Sequence, residues 1–378
     1  MIAPEPFFEP RGTPFSEYFR IKALTALGHR VDLVTYPIGE DRDIDGLRIF
    51  RSFRPPGIRN IKTGPSFKKI ILDFFLFFKA LGRLIRQKYD IIHTHEEANI
   101  MGVFFNKIFK IPHLYDMHSS LVQQMENFQF TRSRLIVGFF KKIENMSLKN
   151  ARSVIVICKS LLEHAGRFTD REKLTLIENF LDDTPTELEP GKLSAIRAEL
   201  KADEHIIVMY TGTLEPYQGI PLLLNSLAYL GRDFRLVLIG GKPEQIDAVR
   251  TYAEARGLGQ RLMLLGRKPP AEIPYYLQTA RVLVSPRILG TNIPLKIYTY
   301  LKSGIPVVAT NLYTHTQSLT PDIAILTEPE PELFANGIKA ALMKRGKEVA
   351  QNAARFCQQH YTPQRYIQLV HQAIQKAT

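Results

Sequence analysis

The sequence predicts an α/β protein built of two doubly wound halves, each a parallel sheet flanked by helices. Three observations carry this prediction. Short apolar and β-branched runs such as "RVDLVTY", "YDIIHTH", "HIIVMYTGTL" and "RVLVSP" alternate with amphipathic stretches, the order that gives parallel strands joined by helical crossovers. The alternation starts afresh after "LDDTPTELEPG" (181–191), an acidic, Pro-containing stretch without periodicity that reads as an interdomain linker. The chain has 378 residues, enough for two domains with a core each.

Along the first half, "FSEYFRIKALTALGHRVDLVTYP" gives an amphipathic helix, a stop at Gly28 and a strand. A basic region follows from Arg48 to Lys88, where eleven Lys and Arg residues face Asp73 alone; its later part is a helix rich in Phe and Leu. "YDIIHTH", "IPHLYDMHSS", "ARSVIVICKS" and "LTLIENF" are further strands with their exits. In the second half, "HIIVMYTGTL", "FRLVLIGG", "RLMLLG" and "RVLVSP" are strands, with "IPLLLNSLAYL", "EQIDAVRTYAEARG" and "AEIPYYLQTA" as the helices between them. The last helix, "TPQRYIQLVHQAIQKAT", has Thr362 as cap and Pro363 at its first position.

The formal net charge is +13, which points to an anionic partner: a nucleotide, a nucleic acid or an anionic membrane. No nucleic-acid-binding motif accompanies the charge, so nucleic acid is set aside. Cys158 and Cys357 lie far apart with no CxxC pair, which excludes a disulfide scaffold and suits a reducing cytosol. The opening "MIAPEPFFEPRGTPF" lacks the apolar core of a signal peptide, and the apolar run Ile70 to Phe78 is short and broken by Asp73. A cytoplasmic protein is expected. The basic, aromatic helix from Lys68 to Lys88 leaves two readings open: peripheral contact with the inner face of an anionic membrane, or a surface helix with a solvated cationic face.

In doubly wound sheets ligands bind beyond the C-terminal strand ends. Beyond "RVLVSP", the stretch Ile288 to Thr310 reads as loop, short helix, turn and buried strand. Asn292 is placed to cap the helix, Pro294 to sit in its first turn and Gly304 to end it. Lys296 then falls near the positive end of the helix dipole, where a cation is disfavoured. Together with Arg287, the flexible Gly290, Thr291 and Asn292, it makes an anion cradle. "MYTGTLEPYQG" is another exit loop, in which Gly212 permits close approach and Thr213 and Gln218 offer hydrogen bonds. His118, in "YDMHSS", stands just past a buried strand and can exchange a proton near neutral pH. His93 and His95 share one strand face, but no companion cluster accompanies them, so no metal is expected.

Taken in order, "PFFEPRGTPFSEYFRIKALTALGHRVDLVTY", "DIIHTH", "YDMHSS", "IENFLD", "YTGTLEPYQGIPLLL" and "SPRILGTNIPLKIYTYLKSGIPVVAT" resemble glycosyltransferase family 4 over nearly the whole chain. The resemblance implies a GT-B fold: two Rossmann-like domains facing across a cleft, the first (1–184) for the acceptor and the second (185–361) for the donor. A last helix (362–378) would cross back to the first domain. The activity implied is a retaining, metal-independent transfer from a nucleoside-diphosphate sugar, as co-substrate, to a hydroxyl of a glycan or lipid-linked acceptor. Such work belongs to polysaccharide or glycolipid synthesis. A nucleotide-sugar-binding module without catalysis and a nucleotide-sugar epimerase of the same fold are the alternatives.

By the same resemblance His118 matches the active-site histidine that meets the donor sugar, Gly12 the Gly-rich loop near the diphosphate, and Lys268 the loop touching the base. Gly290, Thr291, Asn292, Ile293, Pro294 and Leu295 match the segment whose amides hold phosphate and sugar. The chain departs from the family at four charged places. Thr213 and Gln218 stand where an Arg and a Lys commonly grip the diphosphate, and Thr291 and Thr299 where two Glu residues are common. Arg287 and Lys296 are expected to supply the displaced positive charge.

Overall fold

The computed structural model describes residues 1–9, 12–58, 66–120, 133–178 and 187–378. Arg59 and Lys62 of the basic region and positions 181–186 of the expected linker lie outside the described residues. The chain divides into two compact units: Met1–Asn179 with Pro363–Thr378, and Phe180–Thr362.

The sheet of the first unit has seven parallel strands: β1 (Ile2–Ala3), β2 (Val31–Thr35), β3 (Leu47–Arg51), β4 (Ile92–His95), β5 (His113–Met117), β6 (Ser153–Val156) and β7 (Leu174–Leu176). Their order is β3-β2-β1-β4-β5-β6-β7, so the chain winds outward both ways from β1 and β4. The second sheet is parallel too, from β8 (Ile206–Thr211), β9 (Phe234–Ile239), β10 (Leu262–Gly266), β11 (Val282–Ser285), β12 (Val307–Thr310) and β13 (Ile325–Thr327). Its order, β10-β9-β8-β11-β12-β13, reverses between β8 and β11.

The first unit's helices are α1 (Gly12–Ala26), α2 (Phe67–Arg86), α3 (Asn99–Phe109), α4 (Arg134–Asn150) and α5 (Lys159–Ala165). The second unit carries α6 (Pro190–Glu199), α7 (Ile220–Ser226), α8 (Pro243–Glu254), α9 (Ile273–Thr279), α10 (Lys296–Lys302), α11 (Tyr313–Thr316), α12 (Pro331–Ala341) and α13 (Lys344–His360). The last helix, α14 (Pro363–Ala377), packs in the first unit, where Tyr366 lies under the Arg20 guanidinium and Lys376 Nζ donates to the Leu174 carbonyl at 2.7 Å. No helix among the described residues is long and apolar enough to cross a membrane.

Two strands of the first unit escaped the sequence reading, as did β13 in the second. β1 is only two residues long, too short to show a pattern, yet it is central; the Met1 ammonium donates to the Asp32 carbonyl at 2.8 Å and holds the chain end in the sheet. β3 lies inside the basic region, and its arginines are spent at home. Arg48 Nε donates to Asp32 Oδ1 at 2.7 Å, and Arg51 donates to the carbonyls of Ile38 (2.9 Å) and Phe7 (2.8 Å).

The strands are apolar because both faces are covered. In the first unit α2 buries Leu72, Leu76 and Ala80 against Val34, Tyr36 and Phe105. Each leucine so buried contributes roughly 1.5–3 kcal/mol. In the second unit Leu223, Leu236, Val282 and Phe334 anchor the core beneath β8, β9 and β11.

Candidate functional site

Each unit concentrates buried polar groups at or beside the place where its strand order reverses, between β1 and β4 in the first and between β8 and β11 in the second. In the first unit β4 and β5 end side by side, with His93 opposite Leu114 and His95 opposite Asp116. Asp116 is fully buried and receives Arg20 Nε at 2.7 Å and Nη2 at 3.4 Å. Burial alone would raise its pKa, but Arg20 and then His118 outweigh that and hold the carboxyl well below its usual range. His118 is 4% exposed, and its Nε2 lies 3.2 Å from Asp116 Oδ1 and 3.2 Å from His95 Nδ1. His95 and His93 stack at 4.8 Å, and burial lowers the pKa of both, so both rings are neutral at pH 7.

Around this core stand two acids held toward the neutral form. Glu17 is raised well above the usual range by burial and then by Glu5. Glu96, buried at the exit of β4, is raised to about 7 by burial and accepts from Ser119 Oγ at 2.8 Å. His93, His95 and Asp116 each present a ligand atom within 4.8 Å of the others. Asp116 is thus a companion to the two histidines that the sequence reading lacked, and its carboxylate also meets the Arg20 guanidinium at 2.7 Å. Gly12, at the start of α1, is exposed and adopts φ +51°.

In the second unit β8 and β11 are neighbours, and their exit loops converge. Gly212 (φ +137°) and Gly240 (φ +118°) let two loops touch: a Cβ on Gly240 would lie 2.1 Å from the Gly212 carbonyl oxygen. Tyr210 Oη donates to the Thr213 carbonyl at 2.6 Å and fixes the first loop, leaving the Thr213 side chain exposed. Gln218 is buried, and its Oε1 has no hydrogen-bond partner among the described residues.

The loop after β11 differs from expectation. The helix α10 begins at Lys296, so Asn292 does not cap it and Pro294 lies before its first turn. The cause is tertiary. The Asn292 carbonyl accepts from Arg287 Nη1 at 3.1 Å and from Thr314 Oγ1 at 2.8 Å, and Gln317 Nε2 donates to the Thr291 carbonyl at 2.6 Å. These bonds hold 291 and 292 as loop. Arg287 also donates from Nε to its near neighbour Leu289 O at 2.7 Å and lies 5.1 Å from the Tyr217 ring centroid. Gly290 (φ +109°) is required there, since a Cβ would meet Arg287 Nη2 at 2.2 Å.

Lys296 answers the question its position raises. The residue as a whole is half-buried, but its ammonium is buried and has no hydrogen-bond partner among the described residues. Nζ lies 3.5 Å from the Tyr210 ring centroid, facing Gly212, where a Cβ would stand 3.4 Å away. Burial, and then the charge of Arg287, lowers its pKa well below that of a free lysine. Nearby His315 is held down to about 3 by burial, with Nε2 2.9 Å from Ser285 Oγ.

Ile293 and Pro294 are buried, Leu295 and Thr299 half-buried, and Lys268 lies apart on the loop after β10 with Nζ 5.2 Å from the Tyr276 ring centroid. The loop segment Gly290 to Leu295, Arg287, Lys296, Gly212, Thr213 and Gln218 thus share the β8/β11 reversal, and His118 follows β5 in the first unit, one strand from the β1/β4 reversal. Sequence reasoning missed Tyr210, Arg20, Asp116 and His315. Asp116 and Tyr210 stood inside quoted motifs, but only their contacts give them a role; His315, in "YTHTQ", carries no pattern at all.

Comparison with known proteins agrees with this architecture. The family model described as Glycosyltransferase Family 4 matches residues 20–184, and Glycosyl transferases group 1 matches residues 193–357. An uncharacterized glycosyltransferase of Methanocaldococcus jannaschii is 23% identical over 302 residues, 77% of this chain and 74% of that protein. UDP-Gal:alpha-D-GlcNAc-diphosphoundecaprenol alpha-1,3-galactosyltransferase of Escherichia coli is 25% identical over 280 residues, 71% of this chain and 67% of that one. Among solved structures, Anabaena HepE in complex with UDP and glucose superposes with a TM-score of 0.77 at 17% identity, covering 99% of this chain and 98% of its own. Sucrose-phosphate synthase from Thermosynechococcus elongatus gives a TM-score of 0.77 at 20% identity, with 99% and 98% covered. Two family models that together span both units, and a fold shared end to end with these structures, lead to one conclusion: the chain belongs to the GT-B-fold glycosyltransferases, related to family 4 and to group 1.

Proposed function

We propose that the protein is a retaining glycosyltransferase that moves a sugar from a nucleoside diphosphate to a hydroxyl of a glycan or lipid-linked acceptor. The bond from the anomeric carbon to the phosphate oxygen breaks as the bond to the acceptor oxygen forms. The departing phosphate takes the acceptor proton, so no protein nucleophile is required. Solved relatives of this fold carry UDP or UDP-glucose, which supports a nucleotide-sugar donor.

One observation carries the reading: the buried, unpaired ammonium of Lys296 at the β8/β11 reversal. A desolvated amine without an acceptor is costly unless a ligand completes it, and a diphosphate supplies both charge and oxygen acceptors. Lys296 then does the electrostatic work for which Thr213 and Gln218 have no charge, stabilising the leaving group as negative charge builds. Arg287 acts chiefly on the loop, since two of its donors are bound to loop carbonyls. The Lys296 ammonium serves the diphosphate in place of a metal. His118, backed by Asp116, is the catalytic residue we assign to the first unit, donating or accepting a hydrogen bond on the donor sugar.

Calorimetric titration with UDP tests the donor site. Wild type binds, and Lys296→Met binds at least about tenfold more weakly; equal affinity in the two proteins refutes the assignment. The neutral Thr213 and Gln218 also favour a second reading, a binding module without turnover. A radiolabelled UDP-sugar assay separates the two, because a module binds the donor without hydrolysing or transferring it.

A further inference from the structure

The helix α2 has two apolar faces, and only one of them is used. Leu72, Leu76 and Ala80 form the buried face. On the opposite side Ile70, Ile71, Phe74, Phe78 and Ile85 recur at three-, four- and seven-residue steps and therefore share one strip. All five are exposed, Phe74 by 59% and Ile85 by 68%. Phe104 of α3, itself 45% exposed, widens the strip through Phe77, 5.4 Å from it between ring centroids. An apolar surface of this extent on a folded chain marks a contact site.

The charges around the strip decide what it contacts. Five cations lie on α2. Two are engaged inward: Lys69 Nζ with Glu97 at 2.7 Å and Arg83 Nη2 with Asp32 at 2.9 Å. The other three, Lys68, Lys79 and Arg86, are exposed, have no ion-pair partner among the described residues, and line one flank of the strip. The helix's single acid, Asp73, is turned away and accepts from Tyr36 Oη at 2.6 Å. Among the residues of α2, the exposed side is therefore aromatic and aliphatic at its centre and cationic along one flank, with no acid on it. A protein partner that buries a core of this kind would meet mixed charges at the rim, whereas an anionic bilayer offers apolar depth and negative charge alone.

We infer that α2 seats the protein on an anionic lipid surface, with Phe74 and Phe78 in the acyl boundary and Lys68, Lys79 and Arg86 among the headgroups. Nothing in this depends on the donor site.

Co-sedimentation of the full chain with vesicles tests it, using phosphatidylglycerol mixed with phosphatidylcholine against phosphatidylcholine alone. The protein is expected to partition onto the anionic vesicles, less so as salt is raised. Phe74→Ser with Phe78→Ser, and separately Lys68→Glu with Lys79→Glu, each reduce partitioning at least about tenfold. Melting temperature and UDP affinity stay unchanged, since these side chains are exposed and lie outside the donor site. Equal partitioning onto neutral vesicles, or full partitioning by both double variants, overturns the proposal. So does a dimer in sedimentation that the serine variant converts to monomer while vesicle binding persists, which would make the strip a self-association face.

Discussion

A lysine ammonium shut away from water with no acceptor destabilises the protein that holds it, and Lys296 makes that cost measurable. Because its pKa in the folded protein is lowered, folding favours the neutral amine, and the penalty is present wherever an unfolded lysine is protonated. Lys296→Met is therefore expected to raise the melting temperature of the ligand-free protein while it weakens UDP binding, opposite effects that scanning calorimetry and titration read separately. A diphosphate held at Lys296 would raise the lysine pKa, so between the free and bound values binding is expected to take up a proton and affinity to fall as pH rises. Titrations in buffers of different ionisation enthalpy show that uptake in wild type and its absence in Lys296→Met. His118→Ala is expected to lower turnover by about a hundredfold with little change in UDP affinity, measured by steady-state kinetics beside titration. Turnover equal to wild type would remove His118 from the chemistry.

At the scale of elements, close contacts explain several sequence choices that propensity alone would not. Gly102 sits inside α3, where alanine is normally favoured by about 1 kcal/mol. Here a Cβ would stand 2.2 Å from His113 Nε2, and that ring is fully buried and lies 2.7 Å from Thr94 Oγ1. Overpacking outweighs propensity, and Gly102→Ala is expected to destabilise by about 1–3 kcal/mol in urea unfolding. The start of α10 shows the converse. Asn292 and Pro294 have the residue types of a helix entrance, but their backbone is claimed by Arg287 and Thr314, and the helix begins later. A local cap signal loses to two long-range hydrogen bonds, which no window of sequence displays. The basic region divides in the same way: Arg48, Arg51 and Arg83 are structural, while Lys68, Lys79 and Arg86 are exposed without an ion-pair partner among the described residues.

For the molecule as a whole, stability should depend on pH through the buried acids of the first unit. Glu96 titrates near 7 in the fold, above its ordinary value, so the folded state binds more protons than the unfolded chain between the two. Its contribution is complete below about pH 4.5 and is lost as pH rises through about 7, a change of about 3 kcal/mol at most. Glu96→Gln carries no such titration. The stability of the variant relative to wild type is therefore expected to grow from pH 5 to pH 8, as measured by denaturant unfolding at both. If UDP is the donor nucleotide, it is expected to raise the melting temperature by mass action, with a shift that grows with its concentration.

Most of the order of strands and helices, the existence of two units and the glycosyltransferase kinship were legible in the sequence, because buried parallel strands and amphipathic helices write their periods into the residues that form them; short β1 and the arginine-bearing β3 carry too little of that period to be read. The strand exits after "VMYTG" and "VLVSP" were legible as loops for the same reason. Whether a given charge is free, paired or buried was not: Lys296, Arg287 and Asp116 are decided by atoms far away in the chain, on Tyr210, Asn292 and Arg20. Burial and pairing are properties of three-dimensional neighbourhoods, so only the tertiary structure could show, among the described residues, a buried Lys296 ammonium without a hydrogen-bond partner and an exposed cationic flank on α2.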